Sequence, residues 1–335
     1  MIITKTPFRM SFFGGGTDIE DFFSKHEGAV LSSTIDKYCY VNVRKLPPFF
    51  DYKTELAYSV VERVKDIEEI KHPAVRNAMK YLDVHNIRLT YEADLPARSG
   101  LGTSSSFAVG MLNAFYALKG EKADKRKLAN EAIYLERNLC NEAGGWQDQI
   151  AASFGGFNRI NFDSKGYEII PINISMQKKE ELNNNIMMFF TGFTRISSEI
   201  QKANHMTDTK RKTENLKKMY ELVNIAEDIL ENENKNLDEF GKLLDYSWNL
   251  KKQTGDAVTN SSIDEIYNMG IKAGALGGKI LGAGGGGFIA FYVPKGKQKK
   301  VRETLSGLQY TPFKFENNGT KIIHNTPEDM DYMDD

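Results

Sequence analysis

Eleven residues, P96-A-R-S-G-L-G-T-S-S-S106, set two glycines ahead of four consecutive hydroxyl side chains. Gly100 and Gly102 allow positive φ and close approach to a phosphate, so the amides of Gly100, Leu101 and Gly102 can line a concave turn. Thr103, Ser104, Ser105 and Ser106 can donate to phosphate oxygens or ligate a cation that accompanies them. The stretch has no lysine, so it is not a Walker loop. If it opens a helix, the unpaired amides of that helix end supply the attraction instead. A glycine turn before a helix capped by Thr103 or Ser104 is the alternative; four hydroxyls in a row favour phosphate.

A second glycine run, G282-A-G-G-G-G287, fits the G-x-G-x-x-G dinucleotide pattern. That pattern must open a helix. Here the strand-like FIAFYV follows, so the run reads as a hairpin turn facing a domain seam, its glycines suited to close approach to a ligand. Glu136 lies on an amphipathic stretch from about Asp124 to Cys140, with no cation three or four positions away. A carboxylate on that partly apolar face needs a partner, either Mg²⁺ or a distant lysine or arginine. Asp148, in GGWQDQ, is an acid in the first turn of a helix, where it can simply complement the dipole.

Three segments, in order, resemble the motifs of the GHMP kinases. P96 to S106 resembles the nucleotide loop, T6-P-F-R-M-S-F-F-G-G-G-T-D18 the substrate motif, and K279-I-L-G-A-G-G-G-G-F288 the third, glycine-rich motif. The resemblance implies an α+β fold of two domains, ribosomal-protein-S5-like at the N-terminus and ferredoxin-like at the C-terminus. It implies ATP as phosphoryl donor and Mg²⁺ held by Ser104 and Glu136. It makes Asp148 the catalytic base and Arg9, otherwise a surface strand arginine, the residue that stabilises charge on the transferring group. Gly14, Gly15, Gly16, Thr17 and Asp18, with Gly284 and Gly285, are assigned to the substrate.

The chain departs from galactokinase-like members, which carry Glu-His before Thr-Asp; here Gly15-Gly16 stand in that place. The lost side chains open space and bare backbone amides, which suits a larger or anionic sugar. The GGGTD form, and T191-G-F-T-R-I-S-S198, resemble a subgroup that phosphorylates D-glycero-D-manno-heptose 7-phosphate at its anomeric hydroxyl. Its product, a heptose 1,7-bisphosphate, feeds GDP-heptose synthesis. In that reading Arg195 pairs with the sugar phosphate through its guanidinium fork, or else it is a solvated helix residue. A 1-kinase for a fucose- or mannose-like sugar is the nearer alternative. A nicotinamide- or flavin-dependent oxidoreductase is the more distant one.

These residues need elements to hold them. MIITKTPFRMSFF alternates as a strand, and TDIEDFFSKH after the glycines reads as a short helix capped by Thr17 or Asp18. AVLSSTIDKYCYVNVRKL and residues 87–95 read as strands, and FAVGMLNAFYALKG as a buried helix ending at Gly120. From IMMFFTG onward the order is strand, helices, strand, strand, helix and a last strand, FKFE, which is that of a split βαβ unit. A turn-rich polar stretch over 163–185 puts the boundary near 165, giving domains 1–165 and 166–335. At 335 residues and 41% hydrophobic the chain has material for both cores. A net charge of −1 excludes a broad basic field for nucleic acid or an anionic membrane. Two distant cysteines and the lack of an apolar leader suggest a reduced, cytoplasmic protein, monomer or homodimer, working on small molecules.

Overall fold

The computed structural model describes residues 1–192, 209–255 and 257–326. Its backbone forms two sheets. The larger, of nine strands, is organised by β1 (Ile2–Phe13) and β2 (Gly28–Lys45), antiparallel along nearly their whole length. One edge of β2 takes β1. The other is shared in turn by β6 (Phe157–Asp163), the short β12 (Phe315–Glu316) and β5 (Ile87–Ala93). β3 (Thr54–Ala57) and β4 (Val61–Val64) extend the sheet beyond β5, and β13 (Lys321–Asn325) covers the first residues of β1. The β1–β2 ladder slips at Pro7/Phe8, where a residue without an N–H is tolerated, and again near Ser11.

Helix α3 (Thr103–Leu118) packs on β1 and β2 and is buried almost throughout, as its apolar sequence requires. Gly110 lets it settle there, because a Cβ would stand 2.7 Å from the Thr6 hydroxyl. α4 (Lys125–Tyr134) continues into a π-helical turn, Leu135–Leu139, closed by Cys140 N–H donating to the Leu135 carbonyl at 2.8 Å. The continuous helix expected over 124–140 therefore widens at its last turn. α5 (Gln147–Phe154) follows. The expected capping of α1 (Glu20–Phe23) by Thr17 or Asp18 does not occur; Ile19 is its N-cap, and both side chains are used elsewhere.

The second sheet has the order β11 (Gln309–Tyr310), β8 (Ile186–Phe190), β10 (Phe288–Tyr292), β9 (Gly277–Ile280), all pairs antiparallel. Numbered within the unit this is 4-1-3-2, the ferredoxin-like arrangement. The fourth strand is Gln309–Tyr310, not the expected FKFE: Phe315–Glu316 pairs instead with β2 of the first sheet. β7 (Gly166–Pro171) pairs with β6, so the first sheet takes three strands from beyond 165, β7, β12 and β13, and the expected 165/166 division does not coincide with the division between sheets.

Helix α2 (Pro73–Tyr81) precedes β5 and α6 (Met176–Asn185) precedes β8; between β8 and β9 the described residues form three further helices, α7 (Thr209–Glu231), α8 (Leu237–Lys252) and α9 (Ser261–Ala273). The two halves share one apolar core. Phe8, Met10, Phe12 and Phe13 of β1 meet Val223, Phe240, Leu244 and Phe288 from the second half. Phe240 stands edge-on to Phe12 and Phe13 at 5.5 and 5.0 Å. Each such buried side chain contributes about 1.5–3 kcal/mol, so the seam where the candidate residues gather is held rigidly.

Candidate active site

Arg9 projects from β1 and is almost wholly enclosed, with 5% of its side chain exposed. Its Nε donates to Asp148 Oδ1 at 2.7 Å and its Nη2 to Asp148 Oδ2 at 2.9 Å, a bidentate pair. Nη1 donates to the Gly100 carbonyl at 2.7 Å, and the Arg9 amide donates to the Leu101 carbonyl at 3.0 Å. One residue thus fixes both the first turn of α5 and the glycine loop. Asp148 remains open on one side, with a quarter of its side chain exposed.

The loop opens α3 as the sequence suggests. Gly102 sits in the left-handed region at φ 72°, directly before the helix, with no side-chain cap. The first intrahelical bond runs from Ser106 N–H to the Gly102 carbonyl, so the preceding amides face outward. A Cβ on Gly102 would stand 3.4 Å from Asp148 Oδ2 and 3.3 Å from Arg9 Cγ. The helix end and the carboxylate therefore border the same space. The four hydroxyls divide. Ser106 donates to the Pro7 carbonyl at 2.8 Å, Thr103 accepts from the Arg98 amide at 3.3 Å, and Ser105 donates to Glu136 at 2.7 Å. Ser104 is the exposed one.

Ser104 Oγ donates to Glu136 Oε1 at 2.9 Å across thirty-two positions of sequence. Glu136 is buried in the π-helical turn. Its Oε2 also accepts from Gln149 Nε2, and the nearest cation, Arg137 Nη2, is 3.7 Å away. A hydroxyl and a carboxylate side by side form an oxygen-only donor set, which fits a hard cation such as Mg²⁺ that completes its shell with phosphates and water. No group of three His, Cys, Asp or Glu side chains suited to a metal exists among the described residues.

The Gly14–Asp18 turn lies beside this centre. Gly14 has φ 78°, and a Cβ there would stand 1.8 Å from the Ala29 carbonyl oxygen. The Thr17 hydroxyl is taken up by the turn, donating to the Gly14 and Ala29 carbonyls at 2.8 and 2.9 Å. Asp18 is buried. Its Oδ1 accepts from the Gly16 amide at 2.8 Å and its Oδ2 from Gln147 Nε2 at 3.0 Å. Burial pushes its carboxyl above the usual range, and the charge of Asp148 adds to this. The amide freed by Gly16 is thus spent on Asp18. Next to Gly15, however, the buried Ser11 Oγ and Gln147 Oε1 have no hydrogen-bond partner among the described residues. A buried polar atom without a partner costs about 1–3 kcal/mol, and a sugar hydroxyl would relieve it.

The glycine turn after β9 backs onto the phosphate loop. A Cβ on Gly282 would stand 2.6 Å from Gly100 Cα, and one on Gly287 2.3 Å from the Ser99 carbonyl oxygen. Gly284 packs on Val258, and the Gly285 amide donates to the Val258 carbonyl at 3.0 Å. At Gly282, Gly284 and Gly287 the close approach is toward the backbone of Gly100, Val258 and Ser99. Arg195 lies outside the described residues. Two lysines that the sequence did not single out reach the seam: Lys251 Nζ donates to the Gly282 carbonyl, and Lys279 Nζ to the Phe12 carbonyl at 2.8 Å. Lys279 carries a signal, a cation at the head of an apolar strand; Lys251 closes a helix, where lysine is ordinary.

Family models match the two halves of the chain, the N-terminal domain of GHMP kinases over residues 63–156 and their C-terminal domain over 225–310. A D-glycero-alpha-D-manno-heptose 7-phosphate kinase of Campylobacter jejuni is 31% identical across 96% of this chain and 98% of its own length. The chain belongs to the GHMP kinases. Among solved structures, a D-glycero-D-manno-heptose 1-phosphate kinase from Bacteroides thetaiotaomicron superposes with TM-score 0.79 at 23% identity, covering 98% of this chain and all of that one. A putative sugar kinase from Campylobacter jejuni gives 0.70 at 27% identity, covering 96% and 97%. As a GHMP kinase this chain is an α+β phosphotransferase. The helical docking required of a dinucleotide fingerprint is absent at its glycine turn, which joins two strands.

Proposed function

We propose that this GHMP kinase transfers the γ-phosphoryl group of ATP to the anomeric hydroxyl of D-glycero-D-manno-heptose 7-phosphate. The observation that carries the transfer is the juxtaposition of an uncapped helix end, Ser104–Glu136 and Arg9–Asp148 around one space. The sugar is inferred from the similarity to the heptose 7-phosphate kinase and from the turn at Gly14–Asp18. ATP phosphates would lie along Gly100–Ser106, their charge met by the outward amides of α3. Ser104 and Glu136 would hold Mg²⁺, which when bound draws charge from the phosphate oxygens.

The chain's own residues do the rest. Asp18, Ser11 and Gln147 orient the sugar by its hydroxyls. Asp148 takes the proton of the anomeric oxygen as the bond from that oxygen to the γ-phosphorus forms and the bond to the leaving oxygen of ADP breaks. Arg9 holds the carboxylate at the loop, so attack geometry is set before substrates arrive. Free ATP and a sugar phosphate are cytoplasmic metabolites, which is where this reaction belongs. No helix among the described residues is long and apolar enough to cross a membrane.

Asp148→Asn keeps size and loses the proton acceptor. It is expected to lower kcat by about a thousandfold while ATP still binds, the middle of the range for general-base removal. Assays with heptose 7-phosphate, heptose and fucose test the acceptor. Turnover favouring an unphosphorylated sugar would overturn the substrate, and unchanged turnover in the variant would overturn the base.

A further inference from the structure

The phosphate loop has no lysine of its own, yet a lysine stands behind it. Lys251, at the end of α8, is nine-tenths buried and donates from Nζ to the Gly282 carbonyl. Gly282 is the residue whose backbone packs against Gly100 of the loop. An ammonium has three donors, and only this one acceptor meets them among the described residues. No carboxylate lies within ion-pair distance of it there, and such a buried cation is costly unless an anion joins it.

The charges around it decide which anion. Arg9 from β1 is bound at both oxygens of Asp148 from α5, so its charge is already balanced. Asp18, in the turn after β1, is enclosed by amide donors. Lys279 of β9 is pushed well below the usual lysine range by burial, then by the charges of Lys251 and Arg9. Lys251 is left as the positive charge in excess, beside the loop at Gly282 and near the Arg9–Asp148 pair.

We propose that Lys251 is the cation that meets the transferring phosphoryl group, delivered to the lysine-free loop from the C-terminal domain. This rests on ATP binding at Gly100–Ser106, and it makes the charge at the reacting phosphorus a contribution of the second half of the chain. Burial lowers Lys251 to about 8, with Arg9 lowering it further and Asp18 and Asp148 opposing. The free enzyme therefore loses this charge as pH rises through about 8.

The test compares the unaltered enzyme with Lys251→Met and Lys251→Arg, all checked for equal melting temperature. Calorimetry reads MgATP affinity, and steady-state kinetics read kcat, both KM values and the pH profile of kcat/KM for ATP. Lys251→Met is expected to lower kcat by about a hundredfold, as for loss of one charge-stabilising donor, with the acceptor KM little changed. Lys251→Arg is expected to recover part of kcat and to move the alkaline limb upward, because guanidinium does not titrate there. A merely structural lysine would leave that limb in place. A kcat within threefold of the unaltered enzyme, an unmoved limb, or an effect confined to the KM of the phosphorylated acceptor would each overturn the inference while MgATP binding stood. Failure of the unaltered chain to bind MgATP would remove the proposed function itself, and this inference with it.

Discussion

A single side chain explains how the site can exist without a substrate. Glu136 is buried, and it is satisfied by Ser104, Ser105 and Gln149 rather than by a strong ion pair. Those partners are neutral donors that a cation can replace without leaving another charge stranded. If Ser104 and Glu136 share one Mg²⁺, Ser104→Ala and Glu136→Gln will each raise the Mg²⁺ concentration for half-maximal activity by about 10–100-fold. Their combination will fall short of the product of the two, because both act on the same ion. Full multiplicativity, read from Mg²⁺ titrations of activity, would separate the two residues. The assignment of Ser104 together with Glu136 came from the family resemblance; that Glu136, a carboxylate on a partly apolar helix face, needs a partner was legible in the sequence. Lys251 was not: at a helix C-terminus nothing local distinguishes a buried lysine from a solvated one.

At the scale of elements, two glycine-rich turns from opposite halves are fitted back to back. The sequence placed both turns correctly, one opening a helix and the other joining two strands. It could not indicate that their glycines serve each other, because contact between Gly100 and Gly282 is a property of docked domains, not of either segment. Gly282 has φ 74°, which L-residues rarely adopt, and its Cα faces Gly100 across a gap that admits no Cβ. Gly282→Ala is therefore expected to cost about 1–3 kcal/mol of stability from strain and overpacking. By pushing the loop from Arg9 it should also raise the KM for ATP more than that for the sugar. Denaturant melts and separate KM values check this, and equal shifts in both constants would place the damage outside the loop. The π-helical turn at Leu135–Leu139 likewise escaped the sequence pattern, since one added residue in a turn leaves the amphipathic period nearly intact.

The whole molecule is closed by its C-terminal segment, which leaves the ferredoxin-like sheet and returns to the first one. Residue patterning read that segment as the last strand of the second domain, because a strand's sequence carries no record of which sheet it joins. The return is fastened at Glu316. Its Oε2 accepts from the Tyr38 hydroxyl on β2 at 2.6 Å, and its Oε1 accepts from the amides of Asn317 and Asn318 at 2.7 and 2.9 Å. Partial burial pushes this carboxyl up, but the Tyr38 and Asn318 donors outweigh it and bring it down to about 2 from 4.5. Between those values the unfolded chain binds the proton and the folded chain does not. The stabilisation is thus fully present above pH 4.5 and is lost as pH falls toward 2. Glu316→Gln removes the titrating group, so the stability difference between the unaltered protein and the variant should be larger at pH 6 than at pH 3. Urea melts of both proteins at the two pH values measure it, and comparison of the pair cancels the other carboxylates that titrate in the same range. A difference that stays constant would mean that the segment is held by its ladder bonds to β2 and that the carboxylate adds nothing to the closure.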